Sequence, residues 1–177
     1  MRTAKDIALI ANYTALLIGA QLALSAVSGV EVVTVLFLSF CFCFGVVRGL
    51  IMANAFSLLR CFIFGFFPSV LILYLIYYNI FAIVAGLLGK MRKGKVGVRE
   101  RVIIVFAAVV MTVFFTALDD IITPLYYGFD SETAKAYALA SLAAMVPQII
   151  CAIITVAVLF PALVKAFGHN ILTNNMR

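Results

Sequence analysis

Long apolar runs separated by short polar connections make up most of the chain. A helix needs roughly 20 apolar residues to cross a hydrocarbon core of about 30 Å. Six runs are candidates for such helices, and they cover residues 7–27, 32–44, 49–66, 68–88, 102–118 and 134–167. The pattern therefore predicts an all-α polytopic membrane protein, a bundle of six transmembrane helices that forms a single domain over residues 1–177.

The second and the last runs depart from the length of a simple span. The second is short, so it either begins deep in the membrane or continues past Gly45 and Arg48. The last would be roughly 50 Å long as a straight helix at 1.5 Å per residue. Because Pro147 and Pro161 lie inside it, we expect a kink or a first turn at the membrane interface.

Turn signals mark two other helix ends. Pro68 suits the first turn of the fourth helix, where its missing N–H costs nothing. Residues 119–132 are expected to form a loop between the fifth and sixth helices. Asp130 or Ser131 is then a suitable N-cap for the sixth helix.

The overall composition agrees with a membrane location. The chain is 66% hydrophobic and 11% charged, with a mean hydropathy of +1.22. A soluble domain is typically about half apolar and a quarter charged. Lipid must therefore cover the excess apolar surface. We expect no cleavable signal peptide, because the first apolar run is too long and leads directly into further spans.

The distribution of charge predicts the orientation of the bundle. The net charge of +6 could suggest nucleic acid, but most Lys and Arg residues occupy short connections between spans. With the N-terminus in the cytoplasm, the cytoplasmic side carries Arg2, Lys5, Arg48, Lys90, Arg92, Lys93, Lys95, Arg99, Arg101, Lys165 and Arg177. The exterior side then carries Glu31, Asp119, Asp120, Asp130 and Glu132, with Lys135 as its only cation. This asymmetry predicts six spans with both termini inside.

The chain shows no recognisable catalytic or metal-binding pattern. Its only histidine, His169, has no base, nucleophile or metal ligand beside it. Cys41, Cys43, Cys61 and Cys151 lie in apolar runs at spacings that match no zinc or redox motif. We find no phosphate-binding glycine loop, nucleophile elbow or zinc-protease motif. We therefore expect neither an enzyme nor a bound cofactor, and energy for any active transport has to come from a partner or an ion gradient.

Arg60 is the clearest candidate for a binding residue. It lies inside the third span, where an ionisable side chain is costly and is expected to face a cavity or a carboxylate. As a binding residue it would face an anionic or carboxylate-bearing ligand. Alternatively, it forms a structural ion pair or extends to the membrane surface. Its possible acidic partners are Glu31, Asp119 and Asp120.

Aromatic and amide side chains gather in the exterior half of the predicted bundle. They are Phe64, Phe67, Tyr74, Tyr77, Tyr78, Asn79, Tyr126 and Tyr127. Tyrosine is also common as an anchor at the membrane interface. Convergence of several of these residues with Arg60 and the acidic pair would instead form the lining of a binding site for a ring-containing ligand. The remaining buried amides, Asn54 and Gln148, favour hydrogen bonding between helices.

Two further patterns favour contacts with a partner and with lipid. Ala11, Ala15, Gly19 and Ala23 are spaced by four in the first helix, so they lie on one face, and small residues let another helix approach closely. That helix could equally belong to this chain's own bundle. The basic stretch from Lys90 to Arg101 favours anionic lipid headgroups and helps to fix the topology, with a cytoplasmic partner as the alternative.

The whole pattern resembles the substrate-binding S components of energy-coupling factor (ECF) vitamin transporters. The resemblance rests on the length, the six predicted spans with inside termini, and the small-residue ladder of the first helix. It rests also on the stretch from Arg48 to Lys90, with its turn Gly65-Phe66-Phe67-Pro68, and on the closing stretch from Pro147 to Phe167.

The resemblance implies a function and a set of partners. The chain would capture a water-soluble vitamin or related micronutrient outside a cell membrane, as in bacterial plasma membranes. It would deliver that ligand with a scaffold transmembrane subunit and two cytoplasmic ATPase subunits. The scaffold would dock on Ala11, Ala15 and Gly19. The position of the family's pocket points to Arg60, Tyr74, Tyr78, Asn79, Asp119, Asp120 and Gln148 as ligand-binding residues.

Two other functions stay open. Asp119 and Asp120 could be the metal or acid–base pair of a small membrane-embedded enzyme, although such a site usually needs further polar partners. A stand-alone secondary transporter is the second alternative, and the absence of a visible internal repeat argues weakly against it.

Overall fold

The computed structural model describes residues 4–26, 32–92 and 97–175, and within these ranges the chain folds into six α-helices. They are α1 (Ala4–Leu24), α2 (Val33–Phe44), α3 (Val46–Phe64), α4 (Pro68–Arg92), α5 (Val98–Tyr127) and α6 (Ser131–Asn175). The all-α prediction is confirmed. Five of the charged residues on which the predicted orientation rests lie outside the described residues, namely Arg2, Glu31, Lys93, Lys95 and Arg177.

The short helix α2 forms the centre of the bundle. Nine of its 12 residues are buried, as expected for a helix that is apolar on all sides. It packs against every other helix, and these follow one another around it in the order α1, α3, α4, α5, α6. Between α1 and α6, the ring is closed by the side chains of Tyr13 and Phe167, whose centroids are 5.5 Å apart.

Aromatic rings fill the space between α2 and its neighbours. Phe37 of α2 lies 4.9 Å from Tyr78 and 5.2 Å from Phe81, both on α4. Phe42 meets Phe160 of α6 edge-on at 5.2 Å. Since each ring buries a large apolar area, these contacts supply much of the packing that holds α2 in place.

The two ends of the bundle differ in charge. At one end, which we call the basic end, α1, α3 and α5 begin and α4 finishes. There Arg48 pairs with Asp6 at 3.0 Å and Arg92 approaches Glu100 at 3.8 Å. At the other, the acidic end, α5 finishes near Asp119 and Asp120 and α6 begins. The separation of basic from acidic residues along the sequence thus corresponds to a separation in space.

Five of the helices are long and apolar enough to cross a membrane, namely α1, α3, α4, α5 and the Ser131–Phe167 part of α6. Their outer faces expose large apolar side chains such as Phe62, 86% exposed, and Leu125, 80% exposed. An apolar surface of this extent fits a lipid environment. With 12 residues, α2 is only about 18 Å long, so a sixth complete span stays a prediction, as does the orientation.

One predicted boundary is wrong, and one of the two alternatives for the second helix is excluded. Residues 119–127 are helical and belong to α5, although they were expected to form a loop. Here α5 packs along α6, and the helix continues through Pro124, which lies in its last turn. Gly128 then ends the helix in the left-handed conformation (φ 66°). The second helix does not continue past Gly45, whose φ of 83° separates α2 from α3.

Other predicted boundaries are confirmed. Pro68 is the first residue of α4. Asp130 caps α6, since its Oδ1 accepts a hydrogen bond from the Thr133 N–H at 3.3 Å. The helix α6 is continuous through Pro147 and Pro161.

The close packing of α4 on α2 gives a first testable prediction. A Cβ atom added at Gly89 would overlap the Phe42 carbonyl oxygen of α2, so Gly89→Ala should force the two backbones apart. We expect it to lower the free energy of unfolding by about 1–3 kcal/mol. The thermal unfolding midpoint of the purified protein in detergent measures the change.

Gly19→Ala is the matched control. No atom lies within 4 Å of a Cβ added at Gly19, and alanine favours a helix over glycine by about 0.5–1 kcal/mol. This variant should be as stable as the parent or more so. Equal losses in both variants would contradict a specific role for the approach of α4 to α2.

The cap of α6 predicts a dependence on pH. Hydrogen bonds from Thr133 to the Asp130 carboxylate hold the pKa of this group below its ordinary value. The stabilisation of the folded state by this cap is therefore fully present above the pKa that Asp130 has in the unfolded chain. It is lost as the pH falls through the lower pKa that Asp130 has in the folded protein. Amide hydrogen exchange in the first turns of α6 should accelerate, relative to its intrinsic rate, below about pH 4. Asp130→Asn, which keeps an uncharged cap, should remove this dependence of amide exchange on pH. If exchange in the variant still accelerated at low pH as in the parent, Asp130 would not be the group responsible.

Candidate functional site

Arg60 faces aromatic rings near the acidic end of α3. Its guanidinium carbon lies 4.3 Å from the centroid of the Tyr74 ring and 5.1 Å from that of Phe64. These distances suit cation–π contacts, which are worth about 0.5–2 kcal/mol. Among the described residues Arg60 forms no ion pair with Asp119 or Asp120, and Glu31 lies outside them. In the part of the chain that is described, Arg60 therefore contacts aromatic rings, and neither Asp119 nor Asp120 is its ion-pair partner.

Part of the Arg60 head group remains without a hydrogen bond. Its Nε atom is buried and has no partner among the described residues. A buried N–H of this kind is costly, because it has given up water without gaining another acceptor.

Gln21 of α1 joins Arg60 at the same tyrosine. Its Nε2 donates a hydrogen bond to the Tyr74 hydroxyl at 3.3 Å, while its Oε1 is buried without a partner within the described ranges. We call Gln21, Arg60 and Tyr74 the Arg60–Tyr74 cluster. Gln21 was not among the predicted binding residues, although an isolated amide inside an apolar helix was a usable signal.

The two neighbouring aspartates have different surroundings. Asp119 is hydrogen-bonded, since the hydroxyls of Thr123 and Tyr137 each donate to it at 2.7 Å. Asp120 has a buried Oδ1 with no partner in the described part of the chain. Asp119 therefore links α5 to α6, while Asp120 retains an unused acceptor.

Asp120 continues the buried face of α5. Ile104, Ala108, Thr112 and Thr116 are buried and spaced by four, and Asp120 is the next residue in that series. The same helix reaches the Arg60–Tyr74 cluster through Phe115, whose ring centroid lies 5.8 Å from that of Tyr74. Residues from α1, α3, α4 and α5 thus converge toward the acidic end.

Two predicted binding residues of α4 are engaged within the bundle. Tyr78 is buried, with ring centroids 5.0 Å from Phe56 and 5.1 Å from Tyr74. Asn79 forms a reciprocal pair of amide hydrogen bonds with Asn54 of α3, both 3.1 Å long. Its second N–H donates to the Leu75 carbonyl oxygen at 2.7 Å. Asn79 and Asn54 therefore hold α3 against α4 as the interhelical link predicted for Asn54.

The remaining polar candidates lie away from the cluster. Gln148 is half-buried on α6, and among the described residues α6 makes no backbone contact with α3 or α4. Tyr126 and Tyr127 are half-exposed, and the Ser69 hydroxyl donates to the Tyr127 oxygen at 3.4 Å. In the ranges that the structure describes, no three His, Cys, Asp or Glu side chains lie close enough to hold a metal ion.

On the surface of the bundle, a groove lies between α1 and α3. It is an apolar groove of about 440 Å³, and its lining residues are Ile7, Ile10, Ala11, Thr14, Ala15, Ile18, Ile51, Ala55, Leu59 and Ile63. Ala11, Ala15 and Gly19 are all exposed on α1. Two of these three predicted docking residues therefore line one concave apolar surface, and the third lies one turn beyond Ala15.

Comparison with protein-family models found no match, and comparisons with curated proteins and with solved structures found none either. The function has to be argued from the residues and their geometry.

The different surroundings of the two aspartates generate a prediction. Asp119→Asn removes a charged acceptor from two hydroxyls and should lower the free energy of unfolding by about 1–3 kcal/mol. Asp120→Asn is the matched control. It removes the charge of a carboxylate whose buried Oδ1 has no hydrogen-bond partner among the described residues, so the stability of this variant should be unchanged or higher. Thermal unfolding in detergent compares the two, and a larger loss in Asp120→Asn would contradict the assignment.

Proposed function

We propose that this chain is the substrate-binding S component of an ECF-type importer in a cell membrane. In this role it captures a water-soluble vitamin or a related micronutrient from outside. It delivers the ligand with a scaffold transmembrane subunit and two cytoplasmic ATPase subunits, which supply the energy.

The observation that carries the proposal is the Arg60–Tyr74 cluster. Buried polar atoms in a native structure almost always have partners. Here the Arg60 Nε and the Gln21 Oε1 lack them while both side chains contact Tyr74, and Asp120 adds a third such atom near the same end. A small polar ligand at this end would supply the missing hydrogen bonds. Tyr78, Asn79 and Asp119 then position the helices around it.

The orientation follows from charge. With Arg48, Lys90, Arg92, Arg99 and Arg101 in the cytoplasm, the positive-inside rule puts the acidic end outside. The cluster then lies toward the side from which a nutrient arrives, and the basic end faces the anionic lipid headgroups of the cytoplasmic leaflet.

The groove between α1 and α3 supports the assignment of a membrane partner. Small residues on its α1 wall allow the backbone of another helix to come close. A helix of the scaffold subunit would cover Ala11 and Ala15, while Gly19 leaves room next to them because nothing lies within 4 Å of its added Cβ. Binding near the acidic end and docking on the small-residue ladder are compatible, since Gln21 is not among the residues that line the groove.

Small molecules released from the purified protein provide the direct test. The detergent-solubilised chain should release a vitamin or precursor at about one molecule per chain, identified by mass spectrometry. A scaffold protein and two ATPases should copurify with it from its native membrane. A stand-alone transporter would carry its ligand without these partners. A membrane-embedded enzyme would convert its ligand, and either result would overturn the proposal.

Bulky substitutions in the groove separate docking from binding. Ala11→Leu and Ala15→Leu should abolish uptake and copurification of the scaffold, because the larger side chains fill the groove. Ligand affinity should stay within about twofold of the parent, since neither alanine belongs to the Arg60–Tyr74 cluster. Calorimetry and radiolabelled uptake measure the two effects.

Ala140→Leu is the control for these variants, because it makes the same change at an exposed position of α6 outside the groove. It should leave both uptake and binding unchanged. Loss of ligand binding in Ala11→Leu or Ala15→Leu would contradict the docking assignment.

A further inference from the structure

The unpaired atoms of the Arg60–Tyr74 cluster specify more than the presence of a ligand. We propose that Gln21 and Arg60 together bind a neutral amide edge, in which an N–H group stands next to a C=O group, as in a cyclic amide, imide or urea. This inference rests on the proposed function and deepens it by naming the chemical class of the ligand.

The donors and acceptors of the cluster carry the argument. The Arg60 Nε atom can only donate, and the Gln21 Oε1 atom can only accept. Both are buried without partners among the described residues, and both side chains contact Tyr74. The complementary ligand therefore presents an acceptor to Arg60 and a donor to Gln21, and a planar amide edge holds these two groups side by side.

A carboxylate fits the cluster less well. It offers an acceptor to Arg60 but turns a second oxygen, with no hydrogen to donate, toward Gln21. The guanidinium charge is already opposed by the faces of Tyr74 and Phe64, so the site does not require an anion. The sequence alone pointed to an anionic ligand; the aromatic neighbours of Arg60 and the acceptor on Gln21 change that expectation.

An ammonium group fits less well for the opposite reason. It would donate to Gln21, yet it would bring a second positive charge toward Arg60 inside a poorly hydrated site, where like charges repel strongly. A ligand that leaves either Gln21 or Arg60 unpaired loses affinity by at least about tenfold.

Three small probes test the proposal on the purified full-length protein in detergent. Uracil carries adjacent N–H and C=O groups, 1,3-dimethyluracil keeps both carbonyls but has no N–H, and benzoate offers only a carboxylate. Fragments of this size are expected to bind at about millimolar concentrations. Thermal shift and ligand-observed NMR titrations should show saturable binding of uracil and at least about tenfold weaker binding of the other two.

Substitutions then identify the residues responsible. Gln21→Met removes the acceptor with little change in shape, and Arg60→Lys keeps the charge but loses the planar Nε–H. Each should weaken uracil binding at least about tenfold. Thr155→Val is the control, because the Thr155 hydroxyl donates only to carbonyl oxygens of its own helix α6. The unfolding midpoint of each variant without probe establishes that it is folded, and Gln21→Leu is a second variant if Gln21→Met is unstable.

The outcomes separate this inference from the proposed function. Equal binding of 1,3-dimethyluracil, tighter binding of benzoate, no binding of uracil, or insensitivity to Gln21→Met would each overturn the amide-edge assignment. If the protein nevertheless retains a vitamin without such an edge, the proposed function stands and only the ligand class is wrong. If uracil binds through Gln21 and Arg60 but no importer partners exist, the ligand class stands and the transporter proposal falls.

Discussion

The burial of α2 on all sides is the constraint on which the rest of the bundle depends. This helix is too short to cross a bilayer alone, and its apolar surface has to be covered by protein. All five other helices pack against it. Its approach to α4 is possible because Gly89 has no side chain where the backbone of Phe42 comes close, and Gly86 likewise admits the start of α3 at Val46. The aromatic rings of α2, α4 and α6 then fill the remaining space, and the positions of α3 and α5 follow.

The polar groups inside this bundle follow a simple rule, and the exceptions mark the candidate site. Most hydroxyls bond to a carbonyl oxygen one turn earlier in their own helix, as Thr14, Ser39, Ser57 and Thr112 do. Such bonds satisfy the side chain without requiring another helix. Of the four side chains in the described residues that keep an unbonded buried atom, Gln21, Arg60 and Asp120 lie toward the acidic end, and the fourth is Arg92 at the basic end. In an interior this apolar, unmet hydrogen bonds are expensive, which is why these three residues direct attention to ligand binding.

The proposed binding site and the proposed docking surface share two helices. Gln21 and Ala15 both belong to α1, and Arg60 and Leu59 are adjacent in α3. The ion pair between Asp6 and Arg48 ties these helices together at the basic end, whereas at the acidic end Gln21 reaches past α3 to Tyr74 of α4. A partner that shifts α1 against α3 would therefore change the distance between Gln21 and Arg60. In the proposed mechanism, docking and ligand release would be linked through movement of this helix pair.

The sequence by itself determined the helical class, the approximate extent of the long helices and the separation of charge between the two ends. These properties depend on local composition and on the cost of leaving backbone groups unbonded in lipid. Pro68 and Asp130 mark helix starts for the same local reason. The sequence did not reveal that residues 119–127 continue α5, since Pro124 and the nearby acidic residues have the composition of a loop and only packing on α6 extends the helix. It also left the surroundings of Arg60 open between a cavity and a carboxylate, and it did not single out Gln21. Which side chains meet is decided by how helices distant in sequence pack together, and only the tertiary structure contains that information.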